Sequence, residues 1–248
     1  MRPLLAFSRR LLSLAAVLGA SACAQALMNL PEGLVGKAET YPVHGRQGLL
    51  LFEPQMSFGP YRTVSIHRGL AASEQTSVAT GLTSSVEHDS ARQPFDFVLQ
   101  GPGPGAWRGS CVASSDVEVD TQVVGVHAGT NGSGFDREQM PVSATSGYVC
   151  QLDGPGAEHW ELEADEQLSG GTVRDATGAL VVGIRGIRES WTWKHPALEG
   201  DTLVSPDGET WAAVQRSFDG AVYLSRELDP MRRSALAAIC TALLIAGH

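Results

Sequence analysis

The segment from Ala235 to Ala246 is apolar almost all the way round, with Thr241 its one polar residue. Asp229 suits an N-cap, Pro230 fits the first turn without losing a needed N–H, and no helix breaker follows until Gly247. The pattern predicts one helix over 230–246, roughly 24 Å long. A helix without a polar face has to be buried on every side. It also falls short of the ~20 apolar residues that cross a bilayer comfortably. The rest of the chain therefore has to enclose it.

The material for an enclosure is β. Short runs rich in β-branched and aromatic residues, separated by Gly, Pro, Asn and Asp, predict strands at Leu49–Phe52, Tyr61–His67, Phe95–Leu99, Trp107–Ala113, Val117–Val126, Gly147–Leu152, His159–Leu162, Ala179–Ile184, Thr210–Arg216 and Ala221–Ser225. Thr83–Ser90, Gly101–Gly105 and Thr130–Gly134 read as loops or turns. The expected fold class is all-β with one C-terminal helix, as a single domain over 48–248. Two architectures satisfy it: a β-barrel of about 10–12 strands around the buried helix, or a β-sandwich with the helix packed across it.

Residues 1–22 have the layout of a secretory signal: Arg2, Arg9 and Arg10, then the apolar run Leu11–Ala20, then small residues. Ala20-Ser21-Ala22-Cys23 resembles a bacterial lipobox, with Ala where Leu is usual. The resemblance implies that Cys23 carries acyl chains and that the mature protein is an outer-membrane lipoprotein facing the periplasm, its membrane partner held through this N-terminal anchor. Cleavage after Ala26, at Ala24-Gln25-Ala26, is the competing outcome and would leave a soluble periplasmic or secreted protein. Residues 23–47, with Pro31, Pro42 and several glycines, read as a tether.

The net charge of −9 becomes −12 once three leader arginines are removed with no acid. Nucleic-acid partners are not expected, because they need clustered Lys and Arg. Cys111 and Cys150 both sit in strand-like contexts, and we expect them to pair as a disulfide in an oxidising compartment. Cys240, inside the apolar tail, reads as a small buried core residue.

An Asp207-Gly208 turn, the strand Glu209–Val214, a second strand Gly220–Leu224, and Asp229 opening the helix together form a closing hairpin followed directly by an apolar helix. This order is similar to the tubby, scramblase and LURP-one-like group, whose barrels thread a hydrophobic C-terminal helix through the centre. The resemblance covers about forty residues. Tubby-type domains bind phosphoinositides through basic residues, and this acidic chain offers no equivalent cluster. The whole also looks like the uncharacterised lipoproteins of Gram-negative bacteria.

Chemistry is sparse. None of the seven histidines falls in an HxH or HExxH spacing, so neither a metal site nor a cofactor is expected. Asp116-Val117-Glu118-Val119-Asp120 places three carboxylates on one face of a strand. It reads as a solvated acidic face, since hard cations want six or more converging oxygens. Glu158-His159-Trp160-Glu161 would set His159 and Glu161 opposite Trp160, and Ser110-Cys111 with His127 would be a nucleophile only if Cys111 were free. Trp191 and Trp193 share a face if extended, and serve either the core or a groove for an apolar or glycan ligand. The expected function is a non-catalytic, lipid-anchored cell-envelope protein binding lipid, cell wall or protein. The alternative is an exported hydrolase assembled from dispersed histidines and carboxylates.

Overall fold

The computed structural model describes residues 27–46, 55–80, 84–103, 105–129, 132–165, 170–189, 198–217 and 219–246; side chains of 123–129, 132–139, 141, 142, 188 and 189 are not among those described. The predicted strand Leu49–Phe52 lies outside these residues. Among the described residues thirteen strands precede the helix: β1 (Ala38–Pro42), β2 (Ser57–Phe58), β3 (Tyr61–Arg68), β4 (Ala72–Ala79), β5 (Ser84–Gln100), β6 (Ala106–Gly129), β7 (Gly132–Asp153), β8 (His159–Asp165), β9 (Gly171–Asp175), β10 (Leu180–Glu189), β11 (Leu198–Val204), β12 (Thr210–Gln215) and β13 (Ala221–Ser225). Helix α1 spans Pro230–Ala246.

Every pairing is antiparallel, in the order β1-β13-β12-β11-β10-β9-β8-β7-β6-β5-β3-β2, with β4 added to β5. Among the described residues the two ends of that order meet at a single bridge: His44 N donates to Ser57 O at 2.9 Å, and Ser57 N donates to His44 O at 3.0 Å. The result is a nearly closed barrel. Twelve strands spaced about 4.8 Å apart and tilted near 40° give a backbone cylinder roughly 24 Å across. That is wide enough for a helix about 10 Å thick plus the side chains lining the wall.

Helix α1 fills this space. Ala235 through Ile245 are all buried, and the helix touches β6 and β7 on one side of the strand order and β12 and β13 on the other. Thr241, its polar exception, donates Oγ1–H to the Ala237 carbonyl one turn back at 2.8 Å. Asp229 Oδ1 accepts from Arg232 N at 2.9 Å, completing the expected cap. At the other end Arg46 Nε donates to Leu244 O at 3.2 Å and Arg68 Nη2 to Ile245 O, so two cations satisfy carbonyls that a helix C-terminus leaves open.

The wall follows the pleat. In β8, His159, Glu161 and Glu163 face outward while Trp160, Leu162 and Ala164 are buried, with Trp160 and Trp107 ring centroids 5.4 Å apart. β13 departs from alternation because all five of its residues are buried. The cause is residues 27–37, which lie across the outside of β11, β12 and β13. Met28 and Leu34 pack there with Leu198, Ala213 and Tyr223, and Met28 N donates to Gln215 Oε1 at 2.9 Å. Gly200 permits this close approach, since a Cβ there would lie 2.9 Å from Met28 Sδ. The expectation of a tether over 23–47 is therefore corrected for residues 27–46: they supply β1 and a cover for the outer wall.

Strands β5, β6 and β7 run past the barrel. β8 pairs β7 only over Gly147–Asp153, and β3 pairs β5 only from Phe95 to Gln100. Beyond those limits β6 and β7 continue as an arm roughly 50 Å long at about 3.3 Å per residue, joined by β5 as far as Ser84 and by β4 along its eight residues, where the arm is four-stranded. Residues 84–90, expected as a loop, are part of β5, held by ladders on both sides.

Candidate functional site

At the base of the arm the outer face of β6 to β9 dips into a depression of about 480 Å³. Register builds it: Ser114 on β6 is opposite Gly147 on β7, which is opposite Asp165 on β8, while Asp116 faces Thr145, and Val149 faces Glu163, itself opposite Thr172. The floor is low where Gly147 has no side chain; a Cβ there would sit 2.8 Å from the Ala164 carbonyl oxygen. The rim carries the Asp116, Glu163 and Asp165 carboxylates and the hydroxyls of Ser114, Thr145, Ser146 and Thr172, with no Lys or Arg among them. His88 Nε2 lies 3.8 Å from Asp116 Oδ1 across the β5–β6 ladder. Such a surface accepts hydrogen bonds and repels phosphate.

A second polar group is sealed inside the barrel end. Asp201 Oδ2 lies 3.1 Å from Arg216 Nε, and Arg46 donates to the Arg216 carbonyl as well as to the helix. Burial pushes the Asp201 carboxyl up to about 6, although Arg216 opposes the shift. Burial, followed by the Arg216 and Arg68 charges, moves the Arg46 guanidinium down. Cys240, fully buried nearby, has its thiol pushed up by burial, then by Asp201, and stays protonated. These groups close the lumen and are out of reach of a ligand.

The residues singled out by sequence take separate places. Cys111 and Cys150 are directly opposite in the β6–β7 ladder and joined by a disulfide, with Cα atoms 4.0 Å apart. That bond removes Cys111 as a nucleophile toward His127, whose side chain is not among those described. His159 is exposed with Glu161, and its Nδ1 lies 2.7 Å from Asp153 Oδ1. Asp116 contributes to the depression, while Asp120 accepts from its strand neighbour Gln122 at 2.9 Å. Among the described residues no three His, Cys, Asp or Glu side chains converge as metal ligands. Cys23, Trp191 and Trp193 lie outside the described residues. Sequence reasoning does not single out Glu163, Asp165, Asp201 or Arg216, because their settings come from pairing register and burial: Glu163 and Asp165 reach the depression through the β7–β8 ladder, and Asp201 meets Arg216 from beyond the end of β12.

Compared with protein-family models, curated proteins and solved structures, the chain matches none.

Proposed function

We propose that this chain is an exported, non-catalytic envelope protein, held to a membrane by acyl chains on Cys23, that acts by binding another protein through its arm. The observation that carries the reading is the arm itself. Strands β5, β6 and β7 outrun the nearly closed barrel they help to build, and β4, added to β5 beyond the barrel, exposes all eight of its residues. Ordering so much solvated backbone costs conformational entropy that little apolar burial offsets, so a binding role accounts for it better than a packing role.

The Cys111–Cys150 disulfide supports export, because such bonds persist in oxidising compartments. The closing hairpin and enclosed helix support a relationship to the tubby, scramblase and LURP-one-like barrels. Phosphoinositide binding is not carried over, since both the net charge and the depression are acidic. Two measurements test the reading. Metabolic labelling with an alkyne palmitate analogue should tag the wild type and not Cys23→Ala; equal labelling of both removes the anchor. Photo-crosslinkers placed at Asp89 and Gln122 on the arm should capture protein in the intact envelope where one at Glu161 on the barrel wall does not. Equal capture from both regions, or none from the arm, overturns the binding role.

A further inference from the structure

We infer that the free edge of β4 pairs antiparallel with β4 of a second copy of this chain, a step that rests on the reading of the arm as protein-binding and names its partner. Thr80 N donates to Ser84 O at 3.1 Å, continuing the β4–β5 register by one residue beyond Ala79 and Ser85. Bonded and non-bonded pairs alternate along an antiparallel ladder. Ala72, Glu74, Thr76 and Val78 therefore spend their N–H and C=O groups on β5, whereas Ser73, Gln75, Ser77 and Ala79 turn theirs outward. β4 has no second strand neighbour among the described residues, and all eight of its residues are exposed.

The two edges of the arm are not equally guarded. Along its other edge β7 carries Pro141, which has no N–H donor and so discourages strand addition. β4 has no proline, no lysine and one charge, Glu74. It is the edge left open to pairing.

Its sequence is complementary to itself. A two-fold axis at Thr76 sets Thr76 against Thr76, Gln75 against Ser77, Glu74 against Val78 and Ser73 against Ala79, so no like charges face each other. The outward residues then form bonded pairs at Ser73–Ala79 and Gln75–Ser77, each occurring twice by symmetry, about eight hydrogen bonds in all. Centring on Gln75 would form fewer. Because the paired strands run oppositely, the two barrels lie at opposite ends of one continuous sheet and do not collide. A contact of this size buries less than about 1,000 Å² and so is weak and reversible. With a net charge of −12 on each copy once the leader is removed, added salt strengthens it.

Cysteine trapping in the full chain tests this, since Cys111 and Cys150 are already bonded and Cys240 is buried. Thr76→Cys places two thiols face to face in a non-bonded pair, where side chains approach most closely. It should give a disulfide-linked dimer of this chain under mild oxidation in the envelope, while Glu74→Cys should not. Adding Ser77→Pro, which removes an outward N–H and leaves the β5 ladder intact, should abolish the dimer without changing the melting temperature. Absence of a dimer from Thr76→Cys, equal trapping from Glu74→Cys, or a dimer indifferent to Ser77→Pro would overturn self-pairing. A disulfide between the Thr76→Cys variant and a different protein would also overturn it and leave the binding role of the arm standing; loss of arm photo-crosslinks at Asp89 and Gln122 would instead remove that role.

Discussion

Asp201 Oδ2 and Arg216 Nε meet at 3.1 Å inside the barrel with their side chains 2% and 6% exposed, yet neither atom makes a hydrogen bond within standard geometry. The pair thus has Coulomb attraction without the directed bonds that offset desolvation. The Asp201 carboxyl accordingly rises from 3.8 to about 6. The folded state then binds more protons than the unfolded chain between those values, so this group makes stability fall as pH rises from about 4 to about 6, by an amount on the order of 3 kcal/mol. Asp201→Asn should remove that slope and retain a polar partner for Arg216. Urea midpoints of the two proteins at about pH 4 and about pH 7 check it; equal slopes would refute the assignment.

The disulfide is buried as well as cross-strand, with Cys111 2% and Cys150 0% exposed. Closing a loop over 39 residues contributes about 4 kcal/mol in the chain-entropy model. Replacing both cysteines by Ala should lower stability by up to that amount and leave the far-UV dichroism of the barrel unchanged, because flanking ladder bonds remain. In the wild type, reduction by dithiothreitol should be slow in water and accelerate with sub-denaturing urea, since a reductant reaches the sulfurs only when β6 and β7 open.

The start of α1 is fixed from two directions. Asp229 caps it, and Arg233 Nη2 reaches back to Glu39 Oε2 on β1 at 2.6 Å and to Tyr41 OH at 3.1 Å. Asp229→Ala should cost about 1 kcal/mol. Glu39 is held below the usual carboxylate range by the Tyr41 hydroxyl first and by Arg233 next. A depressed carboxylate stabilises above its unfolded pKa and loses that contribution as pH falls through the folded value. Glu39→Gln should therefore be less stable than wild type near neutrality and converge with it in strong acid, as thermal melts across that range will read.

Legibility in the sequence followed local chemistry. β13 at Ala221–Ser225 and α1 at Pro230–Ala246 were readable to the residue, because Asp219-Gly220 before the strand, the apolar runs and Asp229-Pro230 carry their own punctuation. β4 was not, since Ala72–Ala79 has neither alternation nor strong β formers and exists because β5 offers it a ladder. β1 was hidden by Pro42, tolerable as the last residue of a strand near the seam of the barrel. β11 was hidden by Gly200 and Asp201, whose settings depend on Met28 outside and Arg216 inside. The depression is assembled from four strands, so no short stretch of sequence contains it.

The enclosed helix yields the sharpest test of the barrel. Leu243 is wholly buried, and the wall around it is a hydrogen-bonded cylinder that cannot collapse onto a void as two loose helices could. Leu243→Ala should therefore fall toward the upper part of the usual range, about 2–5 kcal/mol. Ala238→Leu, adding volume at a site with no exposed surface, should cost about 1–3 kcal/mol through overpacking. Met231→Ala, at the 45% exposed start of the same helix, should stay within about 0.5 kcal/mol of wild type. A helix resting on the outside of a sandwich would accept Ala238→Leu on its free side and show a small Leu243→Ala effect. Denaturant unfolding of the three variants separates the two outcomes.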